Sequence, residues 1–240
     1  MKNSIKKNIL GITLARGGSK GIKEKNIQLL NKQPLLAYTI IESLKSKYLD
    51  DYIISTDSER IRKIALDYGA DVPFLRPADL SGDFVSSVDA LKHAVLWMEN
   101  KKNIKYDYVI ELMCTNPLKN SVDIDKCIEI LCEEDADTVI AVHKLEDHHP
   151  ARIKKIIGGK IVDFCIPEKP ESRRQDLKPD AYIRSGSIYA INRDYLINSS
   201  RRYGSQKSFA YILPPERAIN IDSKLDLLVA ELIIKENHVK

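Results

Sequence analysis

The chain has 240 residues, 43% hydrophobic and 30% charged, and its 38 Lys and Arg against 34 Asp and Glu give a formal charge of +4. That balance excludes a disordered, collagen-like or mucin-like chain, and the length suffices for one large α/β domain with its own core. No apolar run approaches the roughly 18–20 residues that cross a bilayer, the basic start leads into no signal peptide, and Cys114, Cys127, Cys132 and Cys165 form no C-x-x-C pair. The expectation is a cytoplasmic protein with reduced thiols. The mild positive charge suits an anionic small molecule and does not point to nucleic acid or to a membrane.

Residues 8–15 (N-I-L-G-I-T-L-A) form a short apolar run ended by glycines, the pattern of a buried strand. Pro34 suits the first position of a helix to about residue 47. Residues 51–56 read as a second strand. Asp57 or Ser58 caps a helix carrying Ile61, Ile64, Ala65 and Tyr68 and closed by Gly69, and residues 72–75 read as a short third strand. Leu91, Ala94, Val95 and Met98 mark the next helix, residues 107–112 a strand, and Ile124, Cys127, Ile128 and Leu131 a further helix with Asp123 and Asp125 in its first turn. Residues 138–142 are again a strand. This alternation predicts an α/β, Rossmann-like, mostly parallel sheet with helices on both faces.

From residue 143 to about 185 the rhythm breaks into a polar, proline-bearing stretch with one hairpin signal, 153–157 and 160–164 across Gly158-Gly159. Regular structure returns at 186–191 and 209–213. A last helix begins at Ser223, with Leu225, Leu228, Val229 and Leu232 on one face. We read one domain, 1–240, with 143–185 as an extension.

The strongest local signal is the turn after the first strand, Ala15-Arg16-Gly17-Gly18-Ser19-Lys20-Gly21, followed by Lys25-Asn26. Such a turn brings backbone N–H groups close to phosphate oxygens, and its cations can hold a triphosphate. Open α/β sheets bind ligands beyond the carboxyl ends of their strands, where this turn falls. Neither the Walker A spacing nor G-x-G-x-x-G is present. Gly, Lys and Ser are also ordinary residues of a solvated turn. His143, His148 and His149 match no metal-binding spacing.

Taken together, A-R-G-G-S-K-G-x-x-x-K-N-I (15–27), S-T-D (55–57), L-R-P-A-D-L (75–80), D-x-x-S-S (83–87), T-N-P-L-K (115–119), H-H-P (148–150), R-R-Q (173–175), R-S-G (184–186) and I-N-I-D (219–222) resemble, in order, the motifs of the acylneuraminate cytidylyltransferases. The resemblance implies a nucleotidyltransferase, with a nucleotide-diphospho-sugar-transferase-like fold, that joins CTP to a nine-carbon 2-keto sugar acid, releases pyrophosphate and uses Mg2+, with Mn2+ as a substitute. It implies that Ala15, Arg16, Gly17, Gly18, Ser19, Lys20, Lys25, Asn26, Arg76, Ser86 and Ser87 hold the nucleotide. Among these, Arg16 and Lys20 act in catalysis with Asp222. Lys119, Arg152, Arg174, Gln175, Arg184 and Ser185 then face the sugar acid, and Asp222 with Asn220 carries the metal. It further implies a homodimer in which the 143–185 extension helps build the neighbouring site, so that Arg152 serves the other subunit.

No His or Glu base falls at a matched position, so a metal is expected to activate the attacking hydroxyl. Asn220 stands where the family has Asp, Met113 where it has Gln, Cys114 where it has Pro, and Lys119 where it has Arg. These departures point to a relative of sialic acid, such as legionaminic or pseudaminic acid, as the acceptor. Two alternatives are a 3-deoxy-manno-octulosonate cytidylyltransferase and a non-catalytic nucleotide-sugar-binding protein of the same fold.

Overall fold

The computed structural model describes residues 7–18 and 22–237. In chain order the elements are β1 (Ile9–Leu14), β2 (Leu29–Leu30), β3 (Gln33–Pro34), α1 (Leu35–Leu44), β4 (Asp51–Ser55), α2 (Glu59–Asp67), α3 (Ser87–Lys102), β5 (Tyr108–Leu112) and α4 (Ser121–Glu133). They continue with β6 (Thr138–Lys144), β7 (Lys154–Ile157), β8 (Lys160–Asp163), β9 (Tyr182–Asn192), α5 (Arg193–Ser199), β10 (Ser208–Ile212) and α6 (Lys224–Asn237).

Six strands form one sheet in the order β10-β6-β9-β5-β1-β4. The pairs β1–β4, β1–β5 and β10–β6 are parallel, while β9 runs antiparallel between β5 and β6. The sheet is therefore mostly parallel, as the alternating elements predict. Both faces are covered because the strands are apolar on both sides. Ile9, Ile54, Ile110 and Leu112 pack with α1, α2 and α4 through Leu36, Ile40, Ile61 and Ile128. Leu10, Ile12, Ile53 and Val109 pack on the other side with Leu91, Val95 and Met98 of α3 and Leu196 of α5. The chain passes from β1 to β4 on one side and returns to β5 on the other, so the strand order reverses at β1. A crevice opens beyond the carboxyl ends at such a switch.

Three sequence expectations are corrected, and the cap of α2, expected at either of two residues, is decided. Pro34 is the N-cap of α1 rather than its first residue, because it also pairs with Leu29 in the two-residue ladder of β2 and β3. Residues 72–75 form no strand. Single bridges, Ile53 with Asp71 and Thr56 with Leu75, hold the segment at the sheet edge. Ser58, not Asp57, caps α2 by accepting the Ile61 N–H. Leu225, Leu228, Val229 and Leu232 of α6 face outward and are exposed, and the buried stripe is Ala230 and Ile234, against Leu30, Leu35 and Ile221. The same 3.6-residue period carries two stripes, and the one that includes the small Ala230 packs against Leu30 of β2.

Candidate active site

The first strand delivers its turn at the switch point. Ala15 is buried and its N–H bonds Ser55 O at 3.0 Å, which ties the turn to the end of β4. Asp57 Oδ1 accepts the Gly17 N–H at 2.8 Å. A Cβ on Gly17 would sit 3.1 Å from Ser58 Cβ, so glycine allows the turn to approach the start of α2 this closely. Asn26 donates Nδ2 to Arg16 O at 2.9 Å, and the Cys114 thiol donates to Asn26 Oδ1 at 3.0 Å. Asn26 therefore has its amide orientation fixed from both ends. Ser19 and Lys20 lie outside the described residues.

Arg16, Arg76, Ser86 and Ser87 line one cavity, with Leu80 to Asp83 along its other wall. Arg16 reaches across to Asp83 at 2.8 Å, and Arg76 donates Nε to Ser81 Oγ at 3.2 Å. Burial lowers the pKa of the Arg76 guanidinium, the nearby Arg16 adds to the shift, and Asp57 opposes it. Two guanidinium groups on one cavity create a demand for anionic charge. Ser86 caps α3, accepting the Asp89 N–H at 3.2 Å and donating to Asp89 Oδ2 at 2.8 Å. The N-terminus of this 16-residue helix therefore opens on the same cavity.

Lys25 stands opposite the 219–222 segment and donates Nζ to Asp222 Oδ1 at 2.7 Å. Asn220 donates Nδ2 to Asp222 Oδ2 at 2.5 Å, and its Oδ1 is buried without a partner. The Ile221 N–H bonds Thr115 O at 2.7 Å, which couples this segment to the loop after β5. Among the described residues no three His, Cys, Asp or Glu side chains gather as a metal cluster. One carboxylate beside an orphaned amide oxygen nevertheless suits Mg2+, a hard cation that takes one or two carboxylates and fills its octahedron with phosphates and water.

The expected sugar-facing residues divide into two groups. Arg174 and Gln175 line a separate cavity with His149 and Lys144 in the extension, and Arg152 bonds Ser172 O at 3.2 Å nearby in sequence. That cavity shares no lining residue with the one around Arg16 and Arg76. His149 accepts the Ala151 N–H on Nδ1, so Nε2 carries the proton it gives to Pro179 O. Arg184 lies on β9, its guanidinium over the Tyr203 ring at 4.6 Å. Ser185 is buried and donates to Ala141 O at 2.9 Å. Lys119 is 1% exposed, and its ammonium donates to Thr39 Oγ1, Met113 O and Asn116 O at 2.7–2.8 Å. Its three hydrogens are spent on Thr39 of α1 and on two carbonyls of the loop after β5, so it supports the site from below rather than facing open space. Sequence reasoning missed the Asp57–Gly17 and Cys114–Asn26 contacts. The S-T-D run was the only signal for the first, and nothing in the local pattern marked the second.

A cationic turn, two cavity-lining arginines and a capped helix N-terminus at the switch point of an open sheet define a nucleotidyltransferase-type site. The cytidylyltransferase family model matches residues 10–209, and the chain belongs to that family. It is 34% identical to the post-translational flagellin modification protein B of Campylobacter coli, over 97% of each chain. It is also 34% identical to the CMP-N,N'-diacetyllegionaminic acid synthase of Campylobacter jejuni, over 94% of each. A solved CMP:2-keto-3-deoxy-manno-octonic acid synthetase complexed with CTP shares the fold, with a TM-score of 0.68 at 16% identity over 96% of this chain and 99% of that one. The protein is a nucleotidyltransferase of the cytidylyltransferase type. Among its described residues no helix is long and apolar enough to cross a membrane.

Proposed function

We propose that this enzyme transfers the cytidylyl group of CTP to a nine-carbon 2-keto sugar acid, sialic acid or a relative such as legionaminic or pseudaminic acid. The observation that carries the reading is the cavity that Arg16 and Arg76 line with Ser86 and Ser87 at the switch point, with the 2.7 Å Lys25–Asp222 pair tied to the same turn through Asn26, which bonds Arg16 O. The name of the Campylobacter jejuni relative, similar over nearly the whole chain, supports the acceptor class.

In this reading the acceptor's anomeric hydroxyl attacks the α-phosphorus in line. The new C–O–P linkage forms as the bond from the α-phosphorus to its bridging oxygen breaks, pyrophosphate departs, and the hydroxyl proton is released. Arg16, Arg76, Lys25 and the turn N–H groups neutralise and align the phosphates, so most of the rate comes from positioning and charge. Gly17, Gly18 and Ala15 supply the close backbone approach, Ser19 and Lys20 carry the phosphate-binding roles that the family resemblance implies, and Ser86 and Ser87 border the nucleoside end. Asp222 and the orphaned Asn220 oxygen would hold Mg2+, which when bound supplies Lewis acidity toward the phosphate and the attacking hydroxyl. Arg184 meets the sugar carboxylate. The reading includes a homodimer in the cytoplasm, with Arg152, Arg174 and Gln175 of the extension serving the neighbouring site.

Asp222→Ala is expected to lose turnover at least a hundredfold while CTP still binds by calorimetry; normal turnover in that variant would defeat the assignment. A panel of keto-sugar acids assayed by pyrophosphate release decides the acceptor. Release with eight-carbon acids alone would move the enzyme to the octulosonate class.

A further inference from the structure

On the face of β5 opposite α4, Glu111 is fully buried and lies across the ladder from Tyr189. Its Oε2 accepts Arg202 Nη1 at 2.7 Å, and its Oε1 is buried with no protein donor. The Arg202 guanidinium lies 4.5 Å over the Tyr189 ring, Tyr189 stacks on Tyr203 at 6.2 Å, and the Arg184 guanidinium lies 4.6 Å from the Tyr203 ring centre. The result is an ordered file of Arg202, Tyr189, Tyr203 and Arg184.

Arg202 and Tyr203 line a cavity that reaches Val88 in the first turn of α3. The preceding residue, Ser87, lines the cavity shared by Arg16 and Arg76. One end of the file thus borders the first turn of α3, which also borders that cavity, and on β9, the strand of Arg184 and Tyr189, a Cβ on Gly186 would lie 3.7 Å from Asn220 Oδ1.

The two arginines differ in charge balance. Among the described residues Arg184 has no carboxylate partner, and its Nη1 donates to Tyr203 Oη at 2.7 Å. Arg202 is compensated by a carboxylate sealed from water. A guanidinium offers five donors, and Glu111 takes one of those on Arg202. An uncompensated guanidinium suits a carboxylate. A compensated one, stacked on a ring and immobile, suits a neutral carbonyl oxygen, since it donates without adding net charge. A buried carboxylate is costly unless it is paired, so Glu111 and Arg202 hold each other in one arrangement.

Resting on the cytidylyltransferase reading above, we propose that Arg202 is a specificity-determining residue that donates to the carbonyl oxygen of an acylamino group on the acceptor sugar, and that Glu111 is the positioning residue that holds it. Arg184, at the other end of the file, is left for the acid group.

The test uses the full-length enzyme and begins with the wild type on the keto-sugar panel. Absence of turnover with every acid would overturn the functional reading and this inference with it. With the fastest acceptor in hand, kcat/KM is measured for it and for the same sugar with its acylamino groups hydrolysed to free amines. The double variant Glu111→Leu/Arg202→Leu removes both charges together, so no unpaired ion is buried. It is expected to fold, to bind CTP within twofold of wild type by calorimetry, and to lose at least tenfold of the preference for the acylated acceptor through a raised acceptor KM. Glu111→Gln, which keeps an oxygen for Arg202 Nη1, is expected to retain most of the preference. Unchanged preference in the double variant, or a loss of CTP affinity in place of it, would overturn the assignment.

Discussion

At the scale of single residues, the site depends on side chains that never reach the cleft. Lys119 makes three bonds from a fully buried ammonium, and burial pulls its pKa down to about 7. Lys119→Met would leave Met113 O, Asn116 O and Thr39 Oγ1 without their donor, and each lost partner costs about 1–3 kcal/mol. The expected loss is about 3 kcal/mol at pH 7 by urea unfolding. The pH dependence has a definite sign. A base whose folded pKa is depressed binds fewer protons folded than unfolded between about 7 and its ordinary value of 10.5, so its contribution to stability rises with pH across that window. The gap between wild type and Lys119→Met should widen from pH 7 to pH 9, and a gap that stays flat would show that the lysine keeps its charge across that range. Cys114 supplies the second case. Burial pushes its thiol up to about 11, so it stays protonated and keeps donating to Asn26. Cys114→Ala should raise the KM for CTP about threefold, roughly the worth of a weak hydrogen bond. Cys114→Ser should restore it, and an unchanged KM in the alanine variant would remove any role for the contact.

At the scale of elements, α4 shows how a helix terminus positions a loop. Asn120 and Asp123 form a reciprocal capping box, and the buried Asp123 also accepts Tyr211 Oη at 2.9 Å and a bidentate pair from Arg217 at 2.8 and 3.0 Å. Arg217 stands just before the segment that presents Asn220 and Asp222. Asp123→Asn should therefore cost about 3 kcal/mol, the scale of breaking a buried ion pair, and lower turnover in the fraction that stays folded. Thermal melts with activity measured at 20 °C separate the two effects, and full activity with the stability loss would show that the network does not position Asp222. The element pattern was readable where apolar spacing is strong, as in β1, α3, α4 and the β7–β8 hairpin. It was unreadable where tertiary contacts decide. Residues 72–75 are apolar enough for a strand yet make only single bridges, and α5 is too short for periodicity, with Asn192 as its sole signal. The antiparallel run of β9 follows from the path the chain takes back from its extension, which no local pattern encodes. Site residues on the Gly turn were legible as cations after a strand, whereas Arg76 was legible only through the likeness of residues 75–80 to the family motif. Glu111 and Arg202, 91 residues apart, were not, because only the fold pairs them.

At the scale of the whole molecule, the extension is the part that the monomer does not explain. Strands β7 and β8 pair only with each other, and an isolated two-stranded hairpin is marginal in water. Ile156 and Ile161 face each other across it at 76% and 73% exposure, with Ile157 and Phe164 exposed beside them. Apolar residues clustered in this way mark a surface that another molecule covers. The cavity holding Arg174 and Gln175 is meanwhile separate from the nucleotide cavity, as expected if these residues complete a second subunit's site. Ile156→Lys/Ile161→Lys should therefore sediment as a monomer, bind CTP normally and lose turnover. Subunit mixing gives the sharper measurement. Asp222→Ala and Arg174→Ala, each inactive alone, would form heterodimers with one intact composite site. A mixture equilibrated at equal concentrations should then recover about a quarter of wild-type activity, the share that random pairing of two-fold dimers yields. Recovery near zero would mean that Arg174 works within its own chain, and the exposed hairpin would then need a different partner.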